Sequence, residues 1–188
     1  KKLLVLLDEN SEENLDFYSN SAVLNHIYRY ISQHEFACGS FAFEKGRKPC
    51  FYPGTFDPFS LGHKAVACKI RDLGFDIYLA LDEFSWSKHT QPRLMRRKIM
   101  NMSVADEENM YPFPDDIPIN IANPADIKKL KEIFAGRDLY IAVGTDVIEN
   151  ASAYRAVPTP DSIHTVNHIA FARETRENLE TDQPEKTY

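Results

Sequence analysis

Residues 54–63 read GTFDPFSLGH, and this stretch decides both the fold and the site that the sequence predicts. An apolar run of strand length, residues 49–53, comes directly before it. Residues 61–73 follow with helical spacing, and Gly74 is suited to end that helix. A turn between a strand and a helix directs the backbone N–H groups of the helix start at an anion. The stretch therefore predicts a phosphate site that lacks a Walker lysine.

Side chains within the stretch fit this interpretation. Gly54 lets the backbone approach a phosphate closely, and Ser60 adds a hydroxyl near the helix start. His63 falls in the first turn of the helix, where its imidazole can point back at the same anion. The alternative is that His63 only caps or packs against its own helix.

Strands and helices alternate on the carboxyl side of this stretch. The patterns predict strands at residues 49–53, 76–81, 116–122, 139–143 and 168–172, and helices at residues 61–73, 92–105 and 124–134. Strands that are separated by helices form parallel sheets with right-handed crossovers. The sequence therefore predicts a Rossmann-like, doubly wound α/β domain whose ligand lies beyond the carboxyl ends of the strands.

The chain divides into three parts by composition and pattern. Residues 1–48 form an N-terminal accessory segment, with strands predicted at residues 3–7 and 36–43 and a helix that opens near Ser11. Residues 49–173 form the main domain, and residues 174–188 a polar tail. The chain opens on Lys1 rather than Met, so we expect it to be part of a longer protein.

Composition limits the classes of partner. The chain has 188 residues with 28 acidic and 22 basic side chains, a net charge of −6, which argues against a nucleic-acid-coating role. No apolar run approaches the roughly 18 residues of a membrane span. The three cysteines, Cys38, Cys50 and Cys68, lack metal-binding spacing and fit buried thiols in a reducing compartment. We therefore expect a cytoplasmic protein that binds small molecules, not nucleic acid or membrane, and the oligomeric state stays open.

The motif of residues 54–63 resembles the nucleotidyltransferases of the HxGH/TxGH type. These enzymes carry a G-T-F-D-P segment followed by [H/T]-x-G-H, and Ser60 replaces the first His or Thr here. The resemblance implies that His63 stabilises the α- and β-phosphates of ATP. It also implies that the nucleotide is contacted by Gly54, Thr55, Phe56, Ser60, Gly62 and His63.

Two further matches favour the nicotinate-nucleotide adenylyltransferase branch of this superfamily. Ser87, Lys88 and His89 resemble its P-H-K loop, which implies that Lys88 is a catalytic phosphate contact. Residues 97–100 resemble its R-x-x-M helix start, so Arg97 is preferred to Arg93 and Arg96 as a substrate contact. The alternative is that these arginines form a solvated helix face.

A second turn and an aromatic residue complete the resemblance. Gly144, Thr145 and Asp146 are similar to the family's G-x-D turn, whose acid meets a ribose hydroxyl, although Asp146 could also cap a helix. Tyr154 stands where the branch has a tryptophan that stacks on the pyridine ring, and it could equally be a core residue. The resemblance covers residues 49–173. The family's closing I-S-x-T-x-x-R segment has no counterpart after Arg173.

The resemblance implies adenylyl transfer from ATP to nicotinate mononucleotide, with Mg²⁺ on the phosphates, as a step of NAD biosynthesis. No protein nucleophile is needed for this reaction. The alternatives are a cytidylyltransferase, a phosphopantetheine adenylyltransferase-like enzyme, or a non-catalytic domain of a larger protein.

Overall fold

The structure, a computed structural model, describes residues 47–82, 90–135 and 137–172, the single residue Leu24, and the backbone of two short strands. These strands are β1 (Glu35–Ala37) and β2 (Ser40–Ala42), and they pair antiparallel with Phe36 opposite Phe41. The sequence analysis predicted one continuous strand over residues 36–43, which is therefore wrong in its continuity. The predicted strand at residues 3–7 and the helix near Ser11 lie outside the described residues.

The main sheet has five strands in the order β5-β4-β3-β6-β7, and every neighbouring pair is parallel. The strands are β3 (Lys48–Gly54), β4 (Phe75–Leu81), β5 (Met110–Pro112), β6 (Tyr140–Gly144) and β7 (Asn167–Phe171). The chain builds outward from β3 in one direction and then returns to the other side of β3. This Rossmann-like topology confirms the predicted fold class. The switch point, at which the order of the strands reverses, lies between β3 and β6.

Helices connect the strands, and local chemistry sets their ends. They are α1 (Leu61–Asp72), α2 (Arg93–Val104), α3 (Pro124–Ile133), α4 (Thr145–Asn150) and α5 (Ser152–Arg155). Helix α1 is followed by Gly74 at φ 93°, a left-handed conformation that glycine adopts without strain. Helix α3 begins where the Asn123 side chain accepts a hydrogen bond from the N–H of Ala125. The three predicted helices agree with α1, α2 and α3 within two residues at each end.

Two hydrophobic cores lie on the two faces of the sheet, because successive side chains of a strand point to opposite faces. Cys50 and Tyr52 of β3 join the core beneath α1 and α2, whereas Phe51 joins the core beneath α3. Cys50 is completely buried, and burial raises the pKa of its thiol to about 12. The buried thiol therefore stays protonated and acts as a packing group.

The predicted strand at residues 116–122 is wrong, since β5 lies earlier in the chain. The alternation of Ile117, Ile119 and Ile121 with polar or proline residues suggested a strand, but Pro118 has no N–H to donate. The N–H of Asn120 donates instead to Asp126 Oδ2. Residues 116–122 therefore run as turns, and Ile119 still packs into the core beneath α3.

Candidate functional site

The loops at the carboxyl ends of the strands meet at one edge of the sheet. Gly54, the last residue of β3, pairs with Leu81 of β4, and Gly144, the last residue of β6, pairs with Phe171 of β7. Phe51 of β3 lies opposite Ile141 of β6, and each strand ends three residues further on, at Gly54 and Gly144. The two motifs singled out in the sequence therefore share the switch-point edge.

Ser60 and His63 form a reciprocal cap at the start of α1. Ser60 Oγ accepts a hydrogen bond from the His63 N–H at 3.4 Å, and His63 Nδ1 accepts one from the Ser60 N–H at 3.0 Å. This is a capping box in which histidine takes the place of the usual Glu or Gln. Because Nδ1 is an acceptor, the neutral imidazole carries its proton on Nε2. The sequence analysis left open whether His63 binds phosphate or caps its helix, and the structure shows the capping contact.

Two phenylalanine rings fix the plane of the His63 imidazole. The Phe56 ring lies at 5.1 Å and nearly perpendicular, and the Phe59 ring lies at 5.8 Å and closer to parallel. Both phenylalanines are buried, so the ring of Phe56 belongs to the core and only its backbone can reach a nucleotide.

Gly54 has a packing role beside the one predicted for it. A Cβ on Gly54 would stand 2.5 Å from Cε1 of the Phe56 ring, closer than real Cβ contacts. Phe56 itself adopts φ 45°, a conformation that bulky residues rarely take. The absence of a side chain at Gly54 therefore allows the loop to fold over the end of β3.

A chain of hydrogen bonds ties this loop to the start of α2. Arg96 Nη1 donates to the Thr55 carbonyl at 2.6 Å, and Arg96 Nε donates to the Gln91 carbonyl at 3.0 Å. The Gln91 N–H donates in turn to Asp57 Oδ2 at 3.0 Å. Beside this network is a cleft of about 320 Å³, lined by Thr55, Asp82, Thr90, Gln91, Pro92, Arg93 and Arg96.

The three arginines of α2 have different surroundings. Arg97 donates to the Phe113 carbonyl at 2.7 Å and lies 3.3 Å from Asp115 Oδ1, which Arg93 also approaches at 3.2 Å. Burial lowers the pKa of Arg97, and the Asp115 carboxylate opposes this shift. Arg93 and Arg96 line the cleft, whereas Arg97, preferred in the sequence analysis, is not one of its lining residues.

The sequence analysis ranked Arg96 below Arg97, although the sequence contains a signal for the burial of Arg96. Arg96, Met100 and Val104 stand at helical spacing of four, and Met100 and Val104 are completely buried. An arginine on the apolar face of an amphipathic helix is unusual and indicates a specific contact. The R-x-x-M resemblance favoured Arg97, the next residue along the chain, as the substrate contact.

The helix that follows β6 is not capped by Asp146, which was the alternative role considered for this residue. Gly144 is the N-cap of α4, and Asp146 is an exposed residue in the first turn. A carboxylate in this position interacts favourably with the helix dipole. Asp146 therefore does not supply the N-cap, and its carboxylate lies at the switch-point edge of the sheet.

Tyr154 packs against two histidines. Its ring centroid lies 5.4 Å from that of His168 and 6.2 Å from that of His164. Its buried hydroxyl has no hydrogen-bond partner within the described part of the chain, and burial raises the pKa of Tyr154 to about 12. Burial and the neighbouring His164 lower the pKa of His168. Tyr154 is thus partly a core residue.

The predicted phosphate contact Lys88 lies outside the residues that the structure describes.

Over residues 47–82, 90–135 and 137–172, no group of three or more His, Cys, Asp or Glu side chains is arranged to hold a metal ion. The same residues include no helix with the length and apolar character that crossing a membrane requires.

The fold and the site define a class. A parallel sheet with a glycine turn and a capped histidine after its central strand, and a cleft beside the ends of β3 and β4, has the organisation of a nucleotidyltransferase domain. Residues 51–187 match the family model described as Cytidylyltransferase-like, and the chain belongs to this family. A search of curated proteins finds no match.

Solved structures share the fold. A candidate nicotinate-nucleotide adenylyltransferase from Vibrio parahaemolyticus matches with a TM-score of 0.54 and 16% identity over 71% of this chain and 78% of that chain. Nicotinic acid mononucleotide adenylyltransferase from Plasmodium falciparum, complexed with NaAD, matches with a TM-score of 0.50 and 16% identity over 69% and 77%. Together with the family match, these structures confirm that the chain is a nucleotidyltransferase-superfamily member.

Proposed function

We propose that the protein transfers an adenylyl group from ATP to a pyridine mononucleotide, nicotinate mononucleotide, and releases pyrophosphate. The observation that carries the proposal is the His63 imidazole, which a capping box and two phenylalanine rings hold at the start of α1. The glycine turn that precedes it ends the central strand at the switch point, where α/β sheets bind nucleotides.

The reaction needs alignment and charge neutralisation rather than a protein nucleophile. A phosphate oxygen of the mononucleotide attacks the α-phosphorus of ATP, and the bond from this phosphorus to the oxygen bridging it to the β-phosphate breaks. Pyrophosphate leaves with that bonding pair. In this proposal, His63 donates from Nε2 to the phosphates, and Lys88 and Arg97 supply further positive charge.

The remaining site residues bind the substrates in this proposal. The backbone at Gly54, Thr55 and Phe56 and the first turn of α1, with Ser60 and Gly62, contact the phosphates of the nucleotide. Asp146 accepts from a ribose hydroxyl, and Tyr154 stacks on the pyridine ring of the acceptor.

Magnesium enters the proposal with the nucleotide. The cleft offers one carboxylate, Asp82, which by itself does not build a protein metal site. Mg²⁺ in nucleotide enzymes is commonly held by one or two carboxylates together with the substrate phosphates, whose charge it neutralises. A single lining carboxylate fits this mode better than a resident metal centre.

Two lines support the pyridine mononucleotide as acceptor. The R-x-x-M and G-x-D resemblances at Arg97 and Asp146 are typical of the nicotinate-nucleotide branch. The solved structures with the same fold are named as adenylyltransferases of this acceptor. At 16% sequence identity these structures show only that the fold is shared. The choice of acceptor therefore has to be tested directly.

Cytidylyl transfer is the second candidate, because the matching family is described as Cytidylyltransferase-like. Pyrophosphate release, measured with ATP or CTP and with or without nicotinate mononucleotide, separates the two functions. We expect release with ATP that depends on the mononucleotide. Release with CTP but not ATP would contradict adenylyl transfer and favour the second candidate. No release with either nucleotide over a panel of phosphorylated acceptors would contradict both.

A further inference from the structure

Arg96 is the most buried arginine of the described chain, with 5% of its surface exposed. A charged side chain is rarely buried to this extent unless a partner of opposite charge compensates the loss of hydration. The surroundings of Arg96 therefore have to be explained, and the other arginines of the structure provide the comparison.

Five less buried arginines have carboxylate partners. Within the described residues, ion pairs to Asp or Glu side chains are made by Arg47, Arg71, Arg93, Arg97 and Arg137. Arg96 instead bonds to two backbone carbonyls, through Nε and Nη1. Its Nη2 has no acceptor among the residues that the structure describes. The most buried guanidinium thus has no anionic partner, whereas the other described arginine without one, Arg155, is exposed.

The position of Arg96 indicates where a partner would come from. Arg96 lines the 320 Å³ cleft at the carboxyl end of β3 and β4, and its carbonyl partner at Thr55 belongs to the glycine turn itself. The cleft also includes Arg93, whose charge is shared with Asp115. An anionic ligand in this cleft would meet a guanidinium that two carbonyls already hold in a fixed orientation.

We propose that Arg96 binds a phosphate oxygen of the nucleotide in this cleft, through Nη2, while Nη1 and Nε keep the glycine turn in its binding conformation. The proposal rests on the proposed function, since it assigns the ligand class as the polyphosphate of a nucleoside triphosphate. It replaces Arg97 with Arg96 as the main arginine contact, because Arg97 is committed to Asp115 and the Phe113 carbonyl. Planar guanidinium groups match phosphate oxygens in geometry and charge.

Calorimetric titration of inorganic pyrophosphate and of ATP into wild type, Arg96→Met and Lys129→Met tests this proposal. Lys129 is exposed on α3, so its variant makes the same change of net charge without touching the cleft. We expect Arg96→Met to bind both ligands roughly 10- to 100-fold more weakly, as the loss of a hydrogen bond to a charged group predicts. Lys129→Met should bind them like the wild type.

The outcomes separate this inference from the proposed function. If wild type and Arg96→Met bind ATP equally, Arg96 is a structural residue and the inference is wrong, whereas the reaction can still hold. If Arg96→Met alone loses affinity but no adenylyl transfer occurs, the inference holds and the proposed reaction fails. If the wild type binds neither ligand, both are wrong.

A second measurement covers the case in which Arg96→Met does not fold. The Nε–Hε resonance of Arg96 in the wild-type protein is followed by NMR during the pyrophosphate titration, with Arg96→Lys as an aid to assignment. A saturable shift of this resonance supports direct binding. Binding of pyrophosphate without any change in the Arg96 resonance would overturn the proposal.

Discussion

Ser60 and His63 cap helix α1 at the place where we propose that the phosphates bind. The hydroxyl and backbone N–H of Ser60 satisfy groups at the start of α1, and the same contacts fix the tautomer of His63. The HxGH/TxGH resemblance leaves the role of Ser60 open, because serine departs from the family pattern. The capping geometry explains why a hydroxyl suffices at this position.

The cap gives a prediction at the residue scale. Ser60→Ala removes the side-chain acceptor of the capping box, so we expect the free energy of unfolding to fall by about 1 kcal/mol. Ser60→Thr keeps the hydroxyl and should stay close to wild type. Chemical denaturation checks both variants. A Ser60→Ala protein as stable as the wild type, or a Ser60→Thr protein as unstable as Ser60→Ala, would contradict this account of the cap.

At the scale of elements, α1 and the end of α2 are joined by an ion-pair cluster remote from the site. Glu107, just after α2, accepts from Lys64 at 2.8 Å and from Arg71 at 2.6 Å, both of which lie on α1. The hydrogen bond from Lys64 is the main cause that lowers the pKa of Glu107 below 4.5, and the bond from Arg71 lowers it further. The carboxylate is therefore more easily ionised in the folded protein than in the unfolded chain.

The sign of this shift gives a pH dependence. A carboxylate whose pKa is lower in the folded state stabilises the protein above its unfolded pKa and loses this effect as the pH falls through its folded pKa. We expect Glu107→Gln to lower the free energy of unfolding by on the order of 1 kcal/mol at pH 7. The difference from wild type should shrink below about pH 4.5, the ordinary value for this group.

The neighbouring carboxylate provides the control for this prediction. Glu108 is exposed and has no ion pair within the described chain, so Glu108→Gln makes the same change of charge without breaking the cluster. Denaturation curves of the three proteins between pH 3 and pH 7 compare them. A Glu107→Gln effect that is the same at every pH, or equal to that of Glu108→Gln, would contradict the role of the cluster.

Elements were predictable from the sequence where one physical signal dominated. Apolar runs located β3, β4, β6 and β7, and caps and helical spacing located α1, α2 and α3, because burial and capping act locally. The predicted strand at residues 116–122 is wrong because an alternation of apolar and other residues also occurs in turns. Here Ile119 packs into the core without any strand pairing. Strand β5 is only three residues long and forms because β4 offers it an edge, which no local pattern reveals.

The candidate site was predictable only in part, for the same reason. The turn at residues 54–63 combines glycine, a hydroxyl and histidine in one short segment, so its location followed from the sequence. The environment of Arg96 depends on Thr55, 41 residues away along the chain, and no pattern on α2 alone reports such a contact. The sequence could show that Arg96 shares a face with Met100, but not what the buried guanidinium contacts.

At the scale of the whole molecule, the two ends of the sheet are built differently. At the amino end, Asp76 lies between Arg47 at 3.1 Å and Arg137 at 3.0 Å, which closes that end with paired charges. At the carboxyl end, Thr55 of the glycine turn and the buried Arg96 line an open cleft, and the capped histidine lies in the first turn of α1. The amino end is thus closed by ion pairs, whereas the carboxyl end holds the cleft in which we propose that a nucleotide phosphate binds.

Calorimetric binding of ATP with Mg²⁺ to wild type and His63→Asn tests whether residues 54–63 bind the phosphates of the nucleotide. Asparagine retains an acceptor where Nδ1 meets the Ser60 N–H, so the cap persists, but it removes the Nε2 donor. We expect the wild type to bind ATP and His63→Asn to bind it at least about 10-fold more weakly, with unchanged thermal unfolding. Equal binding by the two proteins, or no binding of ATP or CTP by the wild type, would contradict the assignment of the phosphates to residues 54–63.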